Sequence, residues 1–188
     1  MLLLGREEEA SAWFARAGDV SDQVGDRAGR VFATYGRAVL AQRLGDYGRA
    51  LSLFEEALGG LERLGIGLGS GLAVAGVGQC EEALGNMAAA RAAYQRALAL
   101  GQGAGEVGLT AAALEGLARG LLADSDPVGA AELLGRARWL RDTYHRPATE
   151  AESAAVDAAA ATARAALDEQ VFAAASRAGA AVGLRGAG

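Results

Sequence analysis

Apolar positions along the chain follow the period of a helix, and the helical pattern itself repeats. In the stretch Gly45-Asp46-Tyr47 to Ala57, Ala50, Phe54 and Ala57 are separated by steps of four and three residues, which places them on one helix face. The same face returns at a fixed step of 40 residues: Ala10, Ala50, Ala90 and Ala130; Phe14, Phe54, Tyr94 and Leu134; Ala17, Ala57, Ala97 and Ala137. Small residues let a neighbouring helix approach, and the large one fills the space between helices. Two glycine columns punctuate the pattern, Gly5, Gly45, Gly85 (with Ser125) and Gly25, Gly65, Gly105. The second falls where a helix end needs a left-handed residue. Asp46, Asn86 and Asp126-Pro127 then open new helices, as capping side chains and a first-turn proline do. No period-two alternation marks a strand.

The pattern predicts an all-α chain of about nine helices arranged as antiparallel pairs. Expected spans are 5–24, 27–44, 47–64, 68–84, 87–103, 107–123, 127–143, 149–166 and 168–180. Pro147 stops the seventh, Thr149 and Glu152 have capping-box spacing for the eighth, and Asp168 caps the last. Repeats occupy residues 1–146, and residues 147–188 supply capping helices and a short flexible tail. Gly36, Gly76, Gly78 and Gly116 fall inside helices, which implies close helix packing. Gly67-x-Gly69 lies in the glycine-dense junction Gly65–Gly71, with no preceding strand to make it a phosphate loop.

Composition narrows the function classes. The 188 residues are 52% hydrophobic and 22% charged, enough to bury a core, and the net charge of −5 disfavours direct nucleic-acid binding. Every basic residue is Arg, which reflects coding bias more than mechanism. A single cysteine, Cys80, permits no intramolecular disulfide and suits a reducing cytoplasm. The order Met1-Leu2-Leu3-Leu4 before Arg6 is the reverse of a signal peptide, and no apolar run is long enough to span a bilayer.

The chemistry-bearing residues do not form a catalytic set. His145 is the only histidine and sits in a polar segment before Pro147, without the partners a triad or a metal site needs. Cys80 stands beside Glu81 and Glu82, which disfavour a thiolate, so a buried small hydrophobe is expected. Glu7-Glu8-Glu9 and Glu55-Glu56 read as solvent-facing carboxylates, and Trp13 and Trp139 as packing residues. No enzyme activity, cofactor or metal is expected.

The Gly45–Ala57 motif resembles the second helix of a tetratricopeptide repeat, and Val77-Gly78 is similar to the Leu-Gly pair of that repeat's first helix. The step of 40 is longer than the usual 34 of that family. Ala113–Ala118, Ala130–Ala137 and Ala163–Phe172 are similar to the C-terminal repeats of actinobacterial LuxR-type and antibiotic-regulatory NTPase transcription regulators. The resemblance implies a right-handed α-solenoid superhelix whose first helices line a concave groove. It would place Tyr35, Gln42, Arg43, Gln79, Glu82, Glu115 and Arg119 toward that groove, a mixture of charges suited to a peptide or a neighbouring domain. The expected role is that of a non-catalytic interaction or sensor module, the regulatory share of such a regulator. The alternatives are a metabolite sensor using the groove and a standalone adaptor. The opening pair lacks its first helix, which would leave Leu3, Leu4, Trp13 and Phe14 uncovered. That implies either an upstream domain of the same polypeptide or a homodimer through this end.

Overall fold

The computed structural model describes residues 2–185, with side chains described for residue 7 and residues 9–182. Among the described residues there are nine α-helices and no strands: α1 (Leu2–Val24), α2 (Arg27–Arg43), α3 (Tyr47–Arg63), α4 (Gly67–Ala83), α5 (Met87–Ala104), α6 (Val107–Ala123), α7 (Pro127–Thr143), α8 (Glu150–Ala166) and α9 (Glu169–Arg185). The expected spans differ from these by one residue at most ends. The larger differences are at the start of α1 and the end of α9, the latter reaching Arg185 where the pattern suggested 180. The sequence beyond Arg185, where a flexible tail was expected, lies outside the described residues.

A stricter half-period underlies the 40-residue repeat. Residues with positive φ occur every 20 positions: Gly25, Gly45, Gly65, Gly85 and Gly105, then Ser125 (φ 62°) and His145 (φ 52°). In each case the N–H of the following residue bonds back to the carbonyl five residues earlier and closes the helix. After α2, the Gly45 N–H donates to Gln42 O and the Asp46 N–H to Ala41 O, both at 3.0 Å, the paired bonds of a Schellman motif. His145 therefore has a defined backbone role, because it holds the left-handed end of α7. After the first six turns the next residue also begins the next helix, whereas α8 starts only at Glu150, beyond Pro147. Asp26, Asp46 and Asp126 accept the N–H groups of Gly29, Arg49 and Gly129 at 3.0, 3.2 and 2.9 Å. One side chain thus caps the helix that follows while its backbone N–H closes the helix before it. Ile66 and Glu106 occupy the same position without a side-chain cap. Thr149 and Glu152 form the reciprocal capping box at α8, and Asp168 caps α9 through the Val171 N–H at 2.8 Å.

Three interior glycines, Gly36, Gly76 and Gly116, are sockets for the large residue of the preceding helix. A methyl group on Gly36 would overlap the Phe14 ring, one on Gly76 the Phe54 ring, and one on Gly116 the Tyr94 ring. Ring and socket are always 22 residues apart, and both columns advance by 40. At the fourth position the aromatic ring becomes Leu134 and the glycine becomes Val156, which packs against the cluster containing Leu134. Volume lost on one helix is regained on its neighbour.

The chain divides into two compact units, one ending at Ala90 and the other beginning at Arg91. In the first, α1 packs on α2, α2 on α3, and α3 on α4. Its core holds Phe54, Leu61, Ala73 and Cys80, with Tyr35 edge-on to Phe54 at 5.7 Å between ring centroids. In the second, α6 packs on α7 around Leu114 and Ala137. The end of this unit departs from simple pairing, because α9 packs principally on α7 and makes little contact with α8. Gly135 and Gly179 make this possible. A methyl on Gly135 would strike the Ser176 backbone, and one on Gly179 the Glu132 carbonyl. Arg164 of α8 lies over the Phe172 ring of α9, with its guanidinium carbon 4.3 Å from the centroid.

Candidate functional site

The most distinctive surface lies on α1. Trp13, Ala17, Val20 and Val24 follow steps of four, three and four, forming one continuous stripe along the helix. All four are exposed, Trp13 by 63% and Val24 by 71%. Their counterparts 40 residues later are Leu53, Ala57 and Gly60 on α3 and Leu64 at its C-cap, the last itself 38% exposed. Leu53, Ala57 and Gly60 are buried, and Leu53 is only 8% exposed. The difference is the preceding helix: α2 covers α3, pressing Val31 onto Gly60, whereas no described helix covers this side of α1. Phe14, which was expected to share the uncovered end, faces inward onto Gly36 and is half-buried. The side chains of Leu3 and Leu4 lie outside the described residues. Val20 and Val24 were absent from the sequence-based interface; alignment with the buried Gly60 distinguishes Val20, whereas Leu64 is exposed as Val24 is.

The residues assigned to the groove fall in both compact units. In the first, the Gln42 side-chain amide donates to Gln79 Oε1 at 2.6 Å, joining α2 to α4. Tyr35 is half-buried against Phe54, and burial raises its phenol pKa. Arg43 is exposed and Glu82 is half-buried. In the second unit, Arg119 donates to the Tyr94 hydroxyl at 3.1 Å and lies over its ring. Glu115 is 4% exposed, and its carboxylate is gripped in two-pronged fashion by Arg141, with Nε to Oε1 at 2.7 Å and an Nη to Oε2 at 2.9 Å. The hydrogen bond to Glu115 is the main reason the Arg141 guanidinium holds its proton more tightly than usual. Arg141 also donates to the Arg146 carbonyl and lies 3.8 Å from Glu152, which ties α6, α7 and the start of α8 together.

Two clefts complete the surface. A cavity of about 460 Å³ between α1, α2 and α3 is lined by both charge signs, including Arg37, Arg49 and Glu56 beside the Asp22–Arg30 ion pair at 3.1 Å. A second, of about 420 Å³, lies among α5, α6, α7 and α9 and is mostly apolar. Cys80 is fully buried, and desolvation, reinforced by Glu81, pushes its thiol pKa up to about 11, so it is a poor nucleophile. Among the described residues no group of His, Cys, Asp and Glu could hold a metal ion, and no helix is long and apolar enough to cross a membrane. Comparison with protein-family models finds no match, and comparison with curated proteins finds no matching relative.

Proposed function

We propose that this chain is a non-catalytic protein-interaction module built from tetratricopeptide-like helix pairs in a right-handed superhelix, and that it takes a partner helix on the bare face of α1. The observation that carries the reading is the contrast between Trp13 and Leu53, the same repeat position uncovered in one helix and buried in the next. The repeat itself suggests what fits there: an antiparallel helix that covers α1 as α2 covers α3. Side chains such as Trp13, Val20 and Val24 gain about 1.5–3 kcal/mol each on full burial, a strong incentive for association. The resemblance of the later repeats to regulatory NTPase proteins makes a neighbouring regulatory domain the proposed source of that helix. The cytoplasm is its proposed location.

The test is sedimentation velocity and hydrophobic-dye binding for the wild type and for a Trp13→Arg, Val20→Arg double variant. The wild type should either bind dye or self-associate at tens of micromolar, the concentration range typical of a weak interface. The double variant should lose both behaviours and keep the wild-type helicity and melting temperature. A wild-type monomer that binds no dye would refute the reading. So would a variant that unfolds, because the stripe would then belong to the core.

A further inference from the structure

The cleft among α5, α6, α7 and α9 contains a cation with no partner among the described residues. Arg136 lines it from α7, and its Nε is buried without a hydrogen-bond partner among the described residues. No described carboxylate forms an ion pair with Arg136, although the other deeply placed arginine of this unit, Arg141, is fully engaged. A buried guanidinium nitrogen without an acceptor is costly, and native structures seldom leave one without a reason. A second feature of the same cleft has the same polarity. Val107 and Thr110 of the first turn of α6 line it, and that turn has no side-chain cap because Glu106 stands where Asp26, Asp46 and Asp126 cap their helices. Uncapped N–H groups and the positive end of a helix favour an anion. Gln102 also lines the cleft, and the rest of its wall is glycine, apolar and aromatic. Trp139 and Tyr144 meet edge to face with centroids 6.2 Å apart. The volume of about 420 Å³ falls within the range of small-molecule pockets.

We propose that this cleft binds a small organic carboxylate with a planar apolar body. The carboxylate sits between Arg136 and the first turn of α6, and the apolar body lies against Trp139. A carboxylate matches the forked guanidinium and supplies the acceptor that Nε lacks. The site is independent of the α1 surface, so either reading stands if the other fails.

The test uses the full chain carrying Trp13→Phe, which leaves Trp139 as the only indole. Benzoate, phenylacetate, 3-phenylpropionate and 4-phenylbutyrate are titrated against Trp139 fluorescence, each beside its neutral amide. At least one acid should produce a saturable change, with its amide weaker by about tenfold or more, the ratio expected from one charge-assisted pair. Arg136→Met should abolish that preference. Without ligand, this variant should melt no lower than its parent, because the arginine it removes has no partner among the described residues. Arg136→Gln provides a second variant with the same two expectations. The proposal is overturned if no acid saturates, if acid and amide bind alike, or if both Arg136 variants melt several degrees lower, which would make the arginine structural.

Discussion

Replacing Gly76 with alanine tests the socket arrangement directly. The added methyl would lie 2.5–2.7 Å from three atoms of the Phe54 ring, against a normal carbon–carbon separation of about 3.5–4.0 Å. The ring would have to retreat by about 1 Å, yet Phe54 is among the largest fully buried side chains. Overpacking of this kind costs about 1–3 kcal/mol. Alanine recovers up to about 1 kcal/mol of helix propensity, so a net loss of about 1–2 kcal/mol is expected. For a chain of this size that corresponds to a fall in melting temperature of about 2–8 °C. Gly59→Ala is the control. It lies on α3, where an added methyl meets only the mobile end of Arg63 at 3.4 Å, and it should gain up to about 1 kcal/mol. The Leu134–Val156 pair indicates how to rescue the first variant: Phe54→Leu should relieve Gly76→Ala, giving a favourable coupling energy in a double-mutant cycle. Thermal unfolding followed by circular dichroism suffices. If Gly76→Ala melts at or above Gly59→Ala, or if the two changes simply add, the socket argument fails.

Three further outcomes follow from the same structure. Ser125→Gly and His145→Gly should each stabilise the fold by up to about 1 kcal/mol, since φ at these positions is +62° and +52°; a lower urea midpoint for either would count against the shared turn. Glu115→Ala should cost about 3–5 kcal/mol by leaving the nearly buried Arg141 with only the Arg146 carbonyl and the partly exposed Glu152 carboxylate, whereas Glu115→Leu with Arg141→Met should come close to neutral; equal losses in both would be the wrong result. The Cys80 thiol should react with Ellman's reagent at pH 8 far more slowly in the native chain than in urea. Its raised pKa contributes stability that is complete below the ordinary thiol value of about 8.5 and disappears as pH rises to about 11, so the urea midpoint should fall more across that window in the wild type than in Cys80→Ala, where the half-buried Tyr35 phenol still contributes at its upper end.

Helix positions were legible in this sequence because their ends depend on local chemistry. Gly45 needs a left-handed backbone and Asp46 needs only the N–H of Arg49, so both signals lie within five residues of the end they set. Ser125 and His145 hide the 20-residue half-period, since neither announces positive φ as glycine does. The sockets were half legible. Gly36, Gly76 and Gly116 announced close packing, but their partners lie 22 residues upstream on another helix and emerge only when the columns are overlaid.

The less legible features are those in which one helix depends on another outside the repeat. Glu115 occupies the column of Tyr35 and Ala75, and neither of these indicates that an arginine on the next helix will bury and bind it. Gly135 and Gly179 belong to no column, yet they decide that α9 packs on α7 instead of pairing with α8. The α1 stripe differs in kind, because its residues were in register all along and only the covering helix distinguishes Trp13 from Leu53. Repetition therefore makes a surface interpretable where it breaks. A position buried in one copy and bare in another identifies both an interface and the type of element that fits it. A related case is Glu106, which like Ile66 lacks the side-chain cap that Asp26, Asp46 and Asp126 supply, and whose bare turn lies beside Arg136, with its Nε unpartnered among the described residues. In both places the candidate function lies in a departure from the repeat, because the repeat already satisfies everything that conforms to it.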